Sequence, residues 1–106
     1  MSIIGMKSSN SGEKIAYIEI PYEGDHCLAC VYMVEAVEEA VKKFGARVHW
    51  EKVVLKRRNG AMRYAELSIK NHGVAPIPSI FINEKLAFEM IPPVEELEEY
   101  LEELLK

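Results

Sequence analysis

Ala16-Tyr17-Ile18-Glu19-Ile20-Pro21-Tyr22-Glu23-Gly24-Asp25-His26-Cys27-Leu28-Ala29-Cys30 holds the two features that decide the fold, a strand and a cysteine pair directly after it. Ala16 to Ile20 alternates with the period of a strand, and Pro21 is expected to end it. Beyond the loop from Tyr22 to His26, apolar residues recur at Cys30, Val34, Val37, Val41 and Phe44. That spacing is one face of a helix, and Gly45 stands where helices favour glycine. Glu38/Lys42 and Glu39/Lys43 are i,i+4 pairs expected on the opposite face. Cys27 and Cys30 therefore fall in the first turn of a helix entered from a strand.

Working outward, Arg47 to Leu55 (RVHWEKVVL) reads as a second strand. Lys56-Arg57-Arg58 reads as a solvated loop. Asn59-Gly60 is a hairpin signal, yet Asn59 also suits a helix cap before the helix formers Ala61 to Leu67; we favour the helix, stopped at His72-Gly73. Ser79 to Asn83 and Leu86 to Met90 form a hairpin around Glu84-Lys85. Pro92-Pro93 opens a last helix with Val94, Leu97, Leu101 and Leu104 on its buried face. Its six glutamates, from Glu95 to Glu103, suit an acidic binding surface or, as we favour, a plain solvated face. The order is β-α-β-α-β-β-α, an α/β fold expected as a mixed four-stranded sheet with helices on both faces. Residues 1–14 are expected as a flexible lead-in and 15–106 as the domain.

Composition limits the partners. The chain has 106 residues, long enough for one compact core, with 13 Lys and Arg against 17 Asp and Glu, a formal net charge of −4. An acidic balance argues against a phosphate-backbone partner, so no nucleic acid is expected. Met1 to Lys7 has neither the length of a membrane span nor the pattern of an export signal. A cytoplasmic chain is expected, in a compartment where a stable structural disulfide is not. The cysteine pair then calls for redox chemistry, metal binding or mere packing.

Its placement favours redox chemistry. Free N–H groups and the helix dipole stabilise an anion at Cys27, so its thiolate is favoured. Cys30, one turn further in, can attack a mixed disulfide at Cys27. His26, when protonated, would lower the thiol pKa further. The rival is a metal site in which His26, Cys27 and Cys30 supply three ligands and the fourth is missing. Glu19 is either a buried proton acceptor for Cys30 or, as we favour, solvated beyond the helices' cover. Tyr22 and Glu23 are candidates to line the site, Tyr22 more as packing. Trp50 is expected in the core, and His49 and His72 carry no role.

With Cys27-Leu28-Ala29-Cys30 at the helix start and Ile77-Pro78-Ser79 before the hairpin, the chain resembles the thioredoxin/glutaredoxin superfamily, and within it the small thioredoxin-like proteins of archaea and bacteria. The match runs from about Ala16 to the end. It implies Cys27 as nucleophile, Cys30 as resolving thiol, Pro78 as a cis-proline facing the dithiol, and Ile77 as the residue whose backbone pairs with substrate. Pro76 is the competing position for the cis bond. Leu28-Ala29 matches neither the Gly-Pro pair of thioredoxins nor the Pro-Tyr pair of glutaredoxins, and His26 stands where thioredoxins carry tryptophan. Met90-Ile91-Pro92-Pro93 replaces the Gly-Gly and acidic motif by which glutaredoxins hold glutathione. The resemblance thus implies a thiol–disulfide oxidoreductase without cofactor, with a protein disulfide as substrate and a dithiol donor such as a reductase as partner.

Overall fold

A computed structural model describes residues 14–106; the expected lead-in lies, save for Lys14, outside the described residues. The elements are β1 (Ala16–Tyr22), α1 (Leu28–Val41), a 3-10 turn (Gly45–Arg47), β2 (Val48–Val54), α2 (Arg58–Lys70), β3 (Ile80–Ile82), β4 (Lys85–Phe88) and α3 (Val94–Leu104). Their order is the expected one. Among the described residues the sheet has four strands in the order β2-β1-β3-β4. β1 pairs parallel with β2 and antiparallel with β3, and β3 pairs antiparallel with β4. The sheet is mixed, as expected.

Strand alternation divides the side chains between two faces. Ile18 and Ile20 of β1 and Ile80 and Ile82 of β3 share one core cluster with Cys30, Met33 and Val37 of α1 and Leu97 and Leu101 of α3. Phe81, pointing the other way, packs with Leu67 of α2 and Ala75. The helices thus cover both faces, α1 and α3 on one and α2 on the other. The dithiol helix lies on the larger core. Complete burial of an Ile, Leu or Phe side chain contributes about 1.5–3 kcal/mol, so this double layer is what holds β1 in place.

Several local expectations are corrected by packing. β1 does not end before Pro21 but runs on through Pro21 and Tyr22, which pair with Val53 and Val54 of β2. Among the described residues β3 reaches only Ile18 and Glu19 on the other side, so there the missing N–H of Pro21 breaks no ladder. Arg58 is the first residue of α2, not part of a loop, and Asn59 does not cap the helix; Arg57 stands at the cap without a side-chain bond. The reason is Gly60, whose absent Cβ leaves room for the Val54 carbonyl, fixing the helix start against β2. The hairpin turns at Asn83-Glu84, one residue earlier than expected, with φ of 52° and 70°. Two-residue hairpin turns demand such values, and Asn tolerates them. The i,i+4 pairs on α1 are also redistributed. Lys42 bonds Glu39 at 3.0 Å, while Lys43 reaches Glu102 on α3 at 2.7 Å.

Candidate active site

The site is assembled where β1 hands over to α1. Leu55 donates its N–H to the Tyr22 carbonyl at 3.0 Å, tying the end of the strand to the segment after β2. The chain then turns through residues 23–26, and the Cys27 N–H donates to the Gly24 carbonyl at 3.0 Å. Gly24 has a φ of 155°, a backbone conformation that favours glycine, and a Cβ there would stand 2.9 Å from Nδ1 of the exposed His26 ring, which would have to turn away. The Tyr22 hydroxyl donates to Asp25 at 2.5 Å. That bond, with burial and the Asp25 charge behind it, holds the phenol above its ordinary pKa.

Cys27 is the cap residue of α1, and its Sγ accepts the Cys30 N–H at 3.1 Å. Sulfur thus takes one of the free donors at the helix start, the position in which a thiolate is stabilised. Cys27 is half-buried, whereas Cys30 is fully buried among the apolar residues of α1. The two form a disulfide across one turn, with Cα atoms 5.2 Å apart. The Ile77–Pro78 peptide bond is cis, and Ile77 packs half-buried against the same core cluster as Cys27 and Cys30. Pro76 is exposed and its bond is not among the cis bonds.

One side chain joins the sulfurs. A carboxylate oxygen of Glu23 and the sulfurs of Cys27 and Cys30 all lie within 4.8 Å of one another. His26 is not part of that group; it is exposed, with its ring against Gly24. In the rival metal reading, Glu23 and not His26 is thus the side chain that stands with Cys27 and Cys30. The only local signal for Glu23 was its place in the loop, four residues before Cys27.

Glu19 satisfies neither alternative. It is buried, at 7 % exposure, yet it faces α2 across the sheet from the dithiol helix. Arg63 grips both carboxylate oxygens, at 2.6 Å through Nε and 2.9 Å through Nη2. The bonds from Arg63 to Glu19, then Glu84 and Glu66, hold its guanidinium above its ordinary pKa. Arg63 and Lys70 in turn hold the Glu84 carboxyl below its own. Glu19, Arg63 and Glu84 line an open groove of about 590 Å³ with Tyr17 and His49, whose rings stack at 5.3 Å. Tyr22 is a core residue, and Trp50 packs half-buried on the same cluster. His72 sits just beyond α2 with a φ of 64°.

Known structures resemble this arrangement of elements. A solved structure of thioredoxin-2, a component of the malaria parasite's protein secretion machinery, superposes with a TM-score of 0.61 at 14 % identity, covering 96 % of this chain and 89 % of that one. The fold is thioredoxin-like. A second structure, of a malarial protein, gives a TM-score of 0.60 at 14 % identity, over 85 % of this chain and 97 % of that one. No protein-family model and no curated protein sequence matches the chain. Within this fold, the cysteine pair occupies the start of the helix that follows the central strand β1. Among the described residues no helix is long and apolar enough to cross a membrane.

Proposed function

We propose that the chain is a cytoplasmic thiol–disulfide oxidoreductase, a dithiol carrier that reduces protein disulfides. The observation that carries this is the unequal exposure of a bonded pair: a half-buried sulfur at a helix cap, bonded to a sulfur with no exposure at all. Only the outer sulfur can meet a macromolecular disulfide, and only the inner one is placed to displace it afterwards.

In the reducing direction the Cys27 thiolate attacks one sulfur of the substrate disulfide. A mixed disulfide forms and the other substrate sulfur leaves as a thiolate. Cys30, once deprotonated, attacks the Cys27 sulfur and releases the second substrate thiolate. Two electrons pass from the dithiol to the substrate, and the Cys27–Cys30 bond is the product. Pro78 is assigned to the catalytic site with Cys27 and Cys30, and Ile77 and His26 to substrate binding. A second dithiol, supplied by a reductase, restores the pair.

The test uses the reduced protein, a protein disulfide substrate and dithiothreitol as donor. With the donor present wild type should turn over; with the donor removed, reduced Cys30→Ser should accumulate a mixed disulfide with the substrate, and Cys27→Ser should do neither. Iodoacetamide near neutral pH should label Cys27 before Cys30. Turnover by Cys27→Ser, or first labelling of Cys30, would reverse the roles.

A further inference from the structure

From the three-membered group at the head of α1 we infer that the reduced protein binds one Zn²⁺ through Cys27 Sγ, Cys30 Sγ and a carboxylate oxygen of Glu23, with the fourth position open to solvent. This rests on the same cysteine pair being reducible, but not on its passing electrons to a substrate.

The geometry suits a tetrahedral ion. With Zn–S near 2.3 Å and Zn–O near 2.0 Å, the ligand atoms stand about 3.8 Å (S to S) and about 3.5 Å (S to O) apart. All three atoms already lie within 4.8 Å of one another, so parting the sulfurs on reduction and a small shift of the carboxylate bring them to these separations. The backbone that carries Glu23 is pinned on both sides: Leu55 bonds the Tyr22 carbonyl, and Cys27 bonds the Gly24 carbonyl. Among the described residues no cation lies within ion-pair distance of Glu23. A Cys30 N–H already donating to Cys27 Sγ orients that sulfur, as outer bonds do for metal ligands.

Ligand chemistry selects the metal. Two thiolates exclude Mg²⁺ and Ca²⁺, which take oxygen ligands. Cu⁺ would use the thiolates and leave the carboxylate idle. Zn²⁺ accepts both kinds and leaves an exposed position for water or a further ligand. Such a site is governed by redox state. When a small disulfide oxidises the pair, the two thiolates lose two electrons in forming their S–S bond, and the reagent takes them as two thiolates. The Zn²⁺ leaves unreduced.

The experiment begins by counting free thiols in the reduced protein, then titrates it with Co²⁺ and Zn²⁺ under anaerobic conditions. Two thiols, one Co²⁺ per chain, a sulfur-to-cobalt charge-transfer band and four-coordinate d–d bands are expected, with Zn²⁺ displacing Co²⁺. Glu23→Gln should weaken Zn²⁺ binding about tenfold or more by chelator competition, with both thiols still titrating. His49→Ala, in the groove on the far face of the sheet, should bind as wild type. Equal affinity in Glu23→Gln, or one metal shared by two chains, overturns the site. Absence of binding by a protein with two titrating thiols overturns it too, and leaves the oxidoreductase reading standing. A disulfide that resists reduction overturns both.

Discussion

Replacing Arg63 by Met tests the buried charge of Glu19. The carboxylate is only 7 % exposed and both its oxygens are bonded to Arg63, so the variant strands an anion beneath α2. Removing one partner of a buried pair costs about 3–5 kcal/mol, and the lower end applies because the Arg63 side chain keeps 28 % of its surface. The links of Arg63 to Glu66 and Glu84 lie near water and add about 1 kcal/mol at most. The expected loss is thus about 3–4 kcal/mol. At about 4–8 °C per kcal/mol for a domain of this size, the melting temperature should fall by more than about 12 °C. Urea unfolding followed by Trp50 fluorescence and circular dichroism measures the loss directly. The double variant Glu19→Met/Arg63→Met removes both charges and should return to within about 1 kcal/mol of wild type. A loss below about 1 kcal/mol in the single variant would mean that water reaches Glu19. A double variant as weak as the single would assign the loss to packing of the Arg63 stem.

Two further perturbations follow from backbone and charge. His72 carries a φ of 64° at the end of α2, where its N–H and that of Gly73 bond the carbonyls of Ile69 and Ser68. A left-handed residue costs about 1–2 kcal/mol and glycine in the unfolded chain about 0.4–1, so His72→Gly should stabilise by about 0.5–1 kcal/mol. No gain in chemical denaturation would refute the strain at His72. Tyr22 has its phenol pKa raised by Asp25, so its contribution is complete below the ordinary value of 10.0 and is lost as pH rises through the folded value. The stability difference between wild type and Tyr22→Phe should therefore narrow in alkali; a difference that stays constant there would break the link to Asp25.

What the sequence makes legible is local. The strand, the cap and the helix around Cys27 are written in one continuous stretch, and the periodicity of α3 correctly places Leu97 and Leu101 in the core, with Val94 and Leu104 half-buried at its ends. What escapes it depends on residues far along the chain. Glu19 alternates correctly in β1, but nothing nearby shows that Arg63, 44 residues away, will neutralise it. Asn59 is a good cap by type, yet the contact of Gly60 with Val54 moves the helix start past it. Glu84 is an unusual residue for positive φ, and it is tied there by Arg63 and Lys70 from another element. Glu23 stands in a loop, where no periodicity reports the direction of a side chain. The cysteine pair was legible as the site, and Glu23 as a candidate to line it, but not that its carboxylate lies within 4.8 Å of both sulfurs.

The cysteines are separated by only three positions in the chain. A crosslink restrains an unfolded polymer in proportion to the logarithm of the loop it closes, about 2 kcal/mol for so short a ring against about 5 for one spanning a hundred residues. The double layer of packed side chains, not the S–S bond, therefore supplies most of the cohesion. Opening the bond should therefore lower the resistance to unfolding by about 2 kcal/mol while leaving in place the packed layers that define the fold.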